Sequence, residues 1–372
     1  MYWTDIFNAS KERNENLRYL SASQREDLDH RQYRNGDWGE HFAKNFFGWD
    51  DDDRNDRYGS HDYVHQFSCQ FGEIKTLSPQ GRNNVKLEMR SGLTIEVDGE
   101  GYNDIGTDIQ VADKELGEIG LDWYRVERIE FMKAPSKLEM RFGTPLYGTV
   151  EAFGEKFTGF IQWDHDERLG VDKLDGDADD GDMSIEFGKI RSIERTGNRS
   201  RVTLKSGREF VLDGSNDVSS GHRGVIVMNS EFASIDIPWD EFDKVVFEDK
   251  PGKALPGYDS FTSQKELSGS VTGYDGKIFT GRIVYDLDET YDHELLQGKE
   301  GEFEYALPFR NISKLTTDGE YQCTVTLKSG KKVKLGDGQD VDRRNQGLLI
   351  FEAGKTEPTY IRWEDVREVA FK

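Results

Sequence analysis

Three side chains that can bind a metal recur at intervals of four residues: His61, His65 and Cys69. This spacing places them on one face of either a helix or a strand. Imidazole and thiolate groups suit zinc, which takes four such ligands, and His30, His41 and residues 50–53 lie nearby in the sequence. One hypothesis is therefore a zinc site, and with it a metal-dependent enzyme in which His30 or His41 converges on the histidine pair.

Cys69 also has a structural interpretation. It lies just before Phe71, where a small apolar residue is expected, and a lone cysteine is more often a core residue than a ligand. Zinc motifs usually contain closely paired ligands, which this segment does not have. The second cysteine, Cys323, is at a different position of its repeat, so we expect no disulfide framework.

A run of alternating carboxylates provides a second candidate metal site: Asp175, Asp177 and Asp179. Such a run can surround a calcium ion, with Glu186 at the twelfth position as in an EF-hand loop. The sixth position, however, is Asp180, where the sharp turn of that loop needs glycine. A solvated hairpin turn is the preferred interpretation, with weak calcium binding as the alternative.

An aromatic residue beside several carboxylates occurs twice, as Trp163, Asp164, Asp166 and Glu167, and as Tyr285, Asp286, Asp288 and Glu289. Paired acids beside an aromatic platform are typical of carbohydrate-binding surfaces and glycosidases, so both segments are candidate ligand-binding sites. Sugar binding would require solvent-facing aromatics, and catalysis would require carboxylates that face one cleft. Repetition favours a structural role, and we predict no catalytic residues.

The elements that carry these residues repeat along the chain. A Trp segment recurs at Trp123, Trp239 and Trp363, at intervals of 116 and 124 residues. Two further shared blocks precede it in the same order in each copy. In one of these blocks, Val202–Gly207 of the second copy matches Val325–Gly330 of the third. Repeats of this length are whole small domains. We therefore predict three repeats, at residues 1–133, 145–248 and 266–372.

Alternating apolar and polar residues predict strands within each repeat, as at Val202, Leu204, Phe210 and Leu212. Turn residues divide each repeat into about six or seven short strands, which is typical of a small barrel or sandwich. The recurring tryptophan is expected to close the core, and the acids after it are expected to form a turn before the last strand.

Residues 70 to 372, with their Phe-Thr-Gly-x-Ile and Trp-Asp-x-Asp-Glu segments, resemble the small SH3-like or Sm-like β-barrels. The tandem arrangement is similar to that of a group of bacterial, exported proteins built from such copies. This resemblance implies an all-β array used for binding or scaffolding. It carries over no catalytic residue.

Composition excludes several classes of partner. With 72 acidic and 49 basic residues the formal charge is −23, which repels the phosphates of nucleic acids and anionic membrane surfaces. This charge also departs from Sm-like proteins that hold RNA. No apolar run approaches the roughly 20 residues that span a bilayer. We therefore expect a soluble protein without nucleic acid as a partner.

The first repeat contains a helical insertion, which we place at about residues 8–47. Ser23 with Glu26, and Asp37 with Glu40, are capping boxes for two helices. The segment Tyr2–Asp5 resembles residues 161–164, so we expect the first repeat to lack its beginning. In the competing alignment Trp49 and Asp50 take the place of Trp163 and Asp164, and the start is intact.

These observations favour a non-enzymatic binding or scaffolding module for protein partners, with the helical insertion as the specific contact. Two alternatives stay open, a carbohydrate- or calcium-binding protein and the metal-dependent enzyme described above. We expect no cofactor other than a calcium or zinc ion. If an upstream signal sequence is missing, the location is extracytoplasmic, and otherwise it is cytoplasmic.

Overall fold

The computed structural model describes residues 2–11, 15–34, 65–113, 115–133, 143–179, 181–252, 255–261 and 264–372. Within these ranges it contains 28 β-strands, one α-helix and ten short 3-10 helices. The predominantly β fold predicted from the alternating apolar residues is confirmed. No helix in the described ranges is both long and apolar enough to cross a bilayer.

The described part of the first repeat contains eight strands and the α-helix. They are β1 (Ile6–Lys11), α1 (Ala22–Arg34), β2 (His65–Gln70), β3 (Ile74–Pro79), β4 (Asn84–Met89), β5 (Thr94–Asp98), β6 (Ile109–Asp113), β7 (Gly117–Leu121) and β8 (Ile129–Glu130). Its 3-10 helices are Glu15–Tyr19, Phe71–Glu73 and Trp123–Arg125. Six strands form one sheet in the order β2-β1-β5-β4-β3-β8, and β6 and β7 form a separate hairpin.

The second repeat contains ten strands in its described residues. They are β9 (Tyr147–Ala152), β10 (Glu155–Trp163), β11 (Lys173–Ala178), β12 (Gly181–Glu186), β13 (Ile190–Thr196), β14 (Arg199–Leu204), β15 (Glu209–Leu212), β16 (Val225–Met228), β17 (Ser234–Ile237) and β18 (Phe242–Phe247). Its 3-10 helices are Phe187–Lys189, Asn216–Val218 and Trp239–Glu241. The pairings run antiparallel in the order β15-β14-β13-β18-β9-β10-β16-β17.

The third repeat also contains ten strands. They are β19 (Ser268–Gly273), β20 (Ile278–Val284), β21 (Leu295–Glu300), β22 (Phe303–Pro308), β23 (Ile312–Thr317), β24 (Gln322–Leu327), β25 (Lys332–Gly336), β26 (Leu348–Glu352), β27 (Thr359–Ile361) and β28 (Val366–Phe371). The 3-10 helices are Tyr258–Phe261, before β19, and Phe309–Asn311, Gln339–Val341 and Trp363–Asp365. The order β25-β24-β23-β28-β19-β20-β26-β27 matches that of the second repeat.

The sheets are not the closed barrels that the sequence predicted. In the second repeat β15 and β17 are the two ends of the ladder and do not pair with each other. Instead, the outer edge of β17 pairs with β22, so that Ser234–Asp236 lie opposite Glu304–Ala306. A strand from later in the chain thus occupies an edge that barrel closure would need.

The chain divides into two compact units that do not follow the three sequence repeats. The first unit comprises residues 1–133, 257–295 and 308–372, and the second comprises residues 134–256 and 296–307. The first repeat therefore shares a unit with most of the third repeat. The segment 296–307 of the third repeat belongs to the same unit as the second repeat.

The recurring tryptophans have the structural role that the sequence predicted. Trp123, Trp239 and Trp363 are buried, and each begins a 3-10 turn. The last strand of the repeat follows this turn in every copy. The acidic residues after Trp239 and Trp363 lie in these turns, which confirms the prediction.

The insertion of the first repeat lies between Lys11 and His65, which is later than predicted. Residues 8 to 11 belong to β1, and β1 pairs with β2 from Ile6 opposite Gln70 to Lys11 opposite His65. The insertion therefore interrupts a hairpin of this repeat rather than preceding it.

Helix α1 begins with a capping box formed by Ser21 and Gln24 rather than by Ser23 and Glu26. The backbone N–H of Ser21 donates to Gln24 Oε1 at 2.8 Å, and the N–H of Gln24 donates to Ser21 Oγ at 3.3 Å. Glutamine serves in this motif as well as glutamate does. The second predicted helix, opened by Asp37 and Glu40, lies outside the described residues.

Backbone hydrogen bonds define the alignment of the first residues. The N–H of Phe71 donates to the carbonyl of Asp5, as the N–H of Phe187 does to that of Asp172. Residues 2–5 therefore correspond to residues 169–172, not to 161–164 as the sequence suggested. The competing alignment, through Trp49 and Asp50, falls outside the described residues.

The close approach of β20 to β26 requires glycine at position 281. A Cβ atom there would lie 2.1 Å from the carbonyl oxygen of Phe351. We expect Gly281→Ala to destabilise the first unit by about 1–3 kcal/mol, because the backbone must shift. Chemical denaturation followed by circular dichroism measures this change. Gly257→Ala is the control, since nothing lies within 4 Å of its added methyl group; equal effects of both substitutions would contradict the prediction.

Candidate functional site

Two tight turns of the same build follow β10 and β20. Trp163 and Glu167 exchange two backbone hydrogen bonds, and so do Tyr285 and Glu289. The residue after each aromatic is an aspartate with φ of +47° or +48°, and the next residue also has positive φ. Aspartate tolerates this left-handed conformation better than most residues. We call the segments 163–167 and 285–289 the acidic turns.

The first aspartate of each acidic turn is buried and holds a neighbouring loop. Asp164 accepts hydrogen bonds from the backbone N–H of Arg223 and from Asn216 Nδ2, both at 2.5 Å. Asp286 accepts the corresponding bond from the backbone N–H of Gln346. Burial, and then the charge of Asp340, raise the pKa of Asp286 well above its usual range. These carboxylates therefore have a structural function.

The aromatic residues of the acidic turns also lie inside the protein. Trp163 and Tyr285 are fully buried. Trp163 Nε1 donates to the carbonyl of Asp217 at 2.9 Å, and the Tyr285 hydroxyl donates to the carbonyl of Asp340 at 2.6 Å. Neither ring has a face on which a sugar could stack, so the predicted aromatic platform is not formed by these two residues.

Asp288 of the third repeat's acidic turn and the nearby Glu294 flank a lysine from the first repeat. Lys11 Nζ lies 3.0 Å from Asp288 Oδ1 and 3.1 Å from Glu294 Oε1. The exposed fractions of these three side chains are only 14%, 7% and 6%. Burial alone would lower the pKa of Lys11, but Asp288, Glu294 and Glu289 outweigh it and raise the pKa. The ammonium group therefore stays charged.

His65 lies beside this lysine, on the neighbouring strand. Its ring nitrogens Nδ1 and Nε2 lie 3.2 Å from Gln339 Nε2 and 3.1 Å from Gln346 Nε2. Burial lowers the pKa of His65 despite the nearby Asp288. An imidazole between two amides is held as a neutral hydrogen-bonding group rather than as a metal ligand.

The zinc hypothesis gains no support from the described residues. Cys69 packs in the apolar core of the first repeat, where burial raises the pKa of its thiol well above the usual value. No three His, Cys, Asp or Glu side chains of the described ranges converge on a metal position. His61, His41 and residues 50–53 lie outside those ranges, and the side chain of His30 is not described.

The alternating aspartates lie in a β-hairpin, as the preferred interpretation predicted. Asp175 and Asp177 belong to β11 and Asp179 lies in the turn to β12. All three are exposed, and β11 and β12 pair from Lys173 opposite Glu186 onward. This extended pairing is incompatible with a loop that wraps an ion in the manner of an EF-hand.

Apolar and ionic contacts extend the interface around Lys11. Leu20 and Leu28 pack against Val284, Leu287 and Leu349, and all five are buried.

A second ion pair in this interface joins Arg310 and Glu73 at 2.7 Å. Burial raises the pKa of Glu73 to about 7, although Arg310 and Gln264 oppose the shift. The third repeat thus holds the hairpin and helix of the first repeat through apolar packing and buried charges.

The second repeat has the same carboxylates without such a lysine among its described neighbours. Asp166 and Glu167 correspond to Asp288 and Glu289, and Asp166 is exposed. Burial, followed by nearby acids that include Asp217, raises the pKa of Glu167 to about 7, and its Oε2 atom has no hydrogen-bond partner. Within the described residues the cation of this turn, Arg223, pairs with Asp164 at 3.3 Å, and Asp166 and Glu167 have no ion-pair partner.

His222 is a buried, neutral imidazole near this turn. It stacks on Trp239 with ring centroids 4.4 Å apart, and its Nδ1 accepts a hydrogen bond from the N–H of Gly224. Burial lowers its pKa to about 3, although Asp164 opposes the shift. In the third repeat Asn345 accepts the corresponding bond from Gly347.

We expect His222→Asn to make the free energy of unfolding of the second unit fall less steeply as pH decreases. Between pH 6.5 and 3 the unfolded chain binds a proton here that the folded chain does not, so the second unit loses about 1.4 kcal/mol per pH unit as pH falls. The loss from this group is about 2 kcal/mol between pH 7.5 and 5. Asparagine can still accept the hydrogen bond from the N–H of Gly224, as Asn345 does from Gly347, but it does not titrate. Urea denaturation of both proteins at these two pH values measures the difference, and an unchanged loss in the variant would contradict the assignment.

Comparison with family models, curated proteins and solved structures finds no match to this chain. The structure itself defines a class, namely a predominantly β protein with two ladders of identical strand order.

The sequence did not reveal most residues of the Lys11 site. Nothing in the local sequence distinguishes Lys11 from other lysines, and Glu294 lies outside every motif. His65 and Asp288 were selected, but as a metal ligand and as part of a ligand-binding segment. Gln346 takes the place of Arg223 in the third repeat, so Asp286 lacks the arginine that pairs with Asp164. The lysine that pairs with Asp288 comes from another repeat, which is visible only once the repeats are placed in space.

Proposed function

We propose that this chain is a non-enzymatic repeat protein, built from three copies of an SH3-like or Sm-like module, that acts as a binding module or scaffold for protein partners. The observation that supports this proposal best is the contact around Lys11. There one repeat binds a β-hairpin and a helix of another through apolar packing and buried charges.

The chemistry of this contact suits recognition rather than catalysis. Asp288 and Glu294 both pair with Lys11 and are almost inaccessible to water, so neither carboxylate faces a cleft where it could act as a nucleophile or base. A buried, matched ion pair gives register and specificity to a protein interface, while the apolar contacts exclude water. The same module can therefore bind segments of other proteins.

The second repeat offers the corresponding surface to a partner. Asp166 corresponds to Asp288, which binds Lys11 in the third repeat, and Glu167 corresponds to the adjacent Glu289. A lysine or arginine of a partner would neutralise Asp166 and Glu167 and relieve the cost of desolvating Glu167. The proposed partner is thus a protein segment with a basic side chain.

Affinity purification from an extract of the native host, with quantitative mass spectrometry, tests the function. We expect the wild-type chain to enrich a protein partner that is released by raised salt, and the variant Asp166→Asn/Glu167→Gln to retain much less of it. Asp179→Asn, an exposed acid in a hairpin turn, is the matched control. Binding to a glycan array without any enriched protein would contradict this function and favour carbohydrate recognition.

A further inference from the structure

We propose that the first repeat binds a β-hairpin of a partner protein between strands β6 and β8. This inference rests on the proposed binding function and specifies one class of partner and its place of docking. It depends on a comparison between the three repeats of the same chain.

The second and third repeats each contain a hairpin at this place. In the second repeat β9 pairs with β18 and β10 pairs with β16. In the third repeat β19 pairs with β28 and β20 pairs with β26. In the described part of the first repeat, β8 pairs with β3 alone and β6 with β7 alone. Within the described residues, two strand edges that are paired in the other copies are thus open in this one.

Side chains beside these open edges are exposed where their counterparts are buried. Val111 is 38% exposed, whereas its counterpart Val227 is fully buried. Leu121 is 37% exposed, whereas its counterpart Ile237 is fully buried. Exposed apolar residues that are contiguous in one region mark an interaction surface.

The neighbouring residues extend this apolar surface. Leu116, Tyr124 and Met132 are also exposed, with Tyr124 at 79%. A cavity of about 530 Å³ opens at Trp123 and Tyr124 and is lined on its other side by Pro79 and Arg82. A partner that pairs with β6 or β8 can therefore also bury an aromatic side chain.

The other repeats show what kind of hairpin fits. Gly148 pairs with Gly159 across one hairpin, and Gly269 pairs with Gly281 across the other. A Cβ atom at any of these glycines would lie within 1.9 to 2.3 Å of a carbonyl oxygen of the adjoining strand. The expected partner therefore has a β-hairpin with a glycine pair and alternating β-branched or aromatic residues.

A partner protein is a better candidate than a second copy of this chain. The two hairpins of this type in the described residues are already paired within their own repeats, and a second copy would have to release one of them. Strand addition to an open edge is a common mode of recognition, in which backbone hydrogen bonds give affinity and side-chain pockets give specificity.

A synthetic peptide of residues 145–164, which reproduces β9–β10, is a suitable probe for the full chain. We expect saturable one-to-one binding in calorimetry and about tenfold slower amide exchange in residues 109–113 and 129–132 of the protein. A peptide with valine at both glycines, Gly148→Val/Gly159→Val, should not bind. Val111→Asp in the protein should abolish binding, whereas Val211→Asp, at a residue 44% exposed in the second repeat, should not. Tyr124→Ala provides a second site variant, and circular dichroism verifies that each variant folds.

Two results would overturn the proposal. The first is no binding of the peptide together with slow exchange of β6 and β8 in the chain alone, which would mean that the edges are already covered. The second is a dimer in light scattering that the peptide dissociates, which would identify a second copy as the occupant. The Asp166→Asn/Glu167→Gln variant should bind the peptide normally, so failure at this site is distinguishable from failure of the proposed function.

Discussion

Replacing Lys11 with methionine should destabilise the first unit by about 3–5 kcal/mol, because removing one member of a buried ion pair leaves the other charge uncompensated. Asp288 and Glu294 are both almost inaccessible to water, and Lys11 is the cation that the structure places between them. Methionine keeps the length and apolar stem of lysine, so the loss reports on charge. Chemical denaturation, with amide exchange of β1 and β2 as a local measure, gives the size of the effect.

Lys156→Met is the matched control for this prediction. Lys156 also pairs with a carboxylate on a neighbouring strand, that of Glu151, but 66% of its side chain is exposed. Surface ion pairs of this kind contribute about 0–1 kcal/mol. Adding Asp288→Asn and Glu294→Gln to Lys11→Met should restore part of the lost stability. Similar losses for the two lysines would show that the Lys11 site is not a buried ion pair.

Trp163→Ala should destabilise the second unit by about 3–5 kcal/mol, since truncation of a buried aromatic removes apolar burial and leaves a cavity. Trp163 is fully buried, and its ring contacts those of Phe187, Trp239 and Phe242. The substitution also leaves the carbonyl of Asp217 without the indole donor. Loss of near-ultraviolet circular dichroism along the denaturation curve measures the change.

Phe153→Ala is the control for the tryptophan. Phe153 belongs to the same unit but is 79% exposed, so its truncation should change stability by less than about 0.5 kcal/mol. If Trp163→Ala bound an oligosaccharide less well while its stability stayed unchanged, the residue would be a ligand platform after all.

The parts of the fold that sequence could predict are those that depend on short-range residue patterns. Alternating apolar residues predict strands because side chains point to opposite faces in turn, and the recurrence of Trp123, Trp239 and Trp363 predicts equivalent turns. The predicted capping residue of α1, Ser23, was wrong by two positions, since Ser21 and Ser23 both fit the capping-box pattern. Local spacing does not decide between them.

Such patterns could not predict the pairing between strands that are distant in the sequence. The edge of β17 is taken by β22, and a local pattern contains no information about which distant strand will lie there. The same applies to the candidate site. The acidic turns are visible in the sequence, but whether their carboxylates face water, a loop N–H or Lys11 depends on contacts between repeats.

The contact of Lys11 with Glu294 joins residues 283 positions apart, and this separation affects how the chain is made. At about 5–20 residues per second, roughly 15–60 s of synthesis elapse between these two residues. The second unit, apart from its late hairpin segment, leaves the ribosome before the first unit can be completed. The N-terminal strands must therefore wait, with Lys11 in water, until the carboxylates that will bury it have been translated.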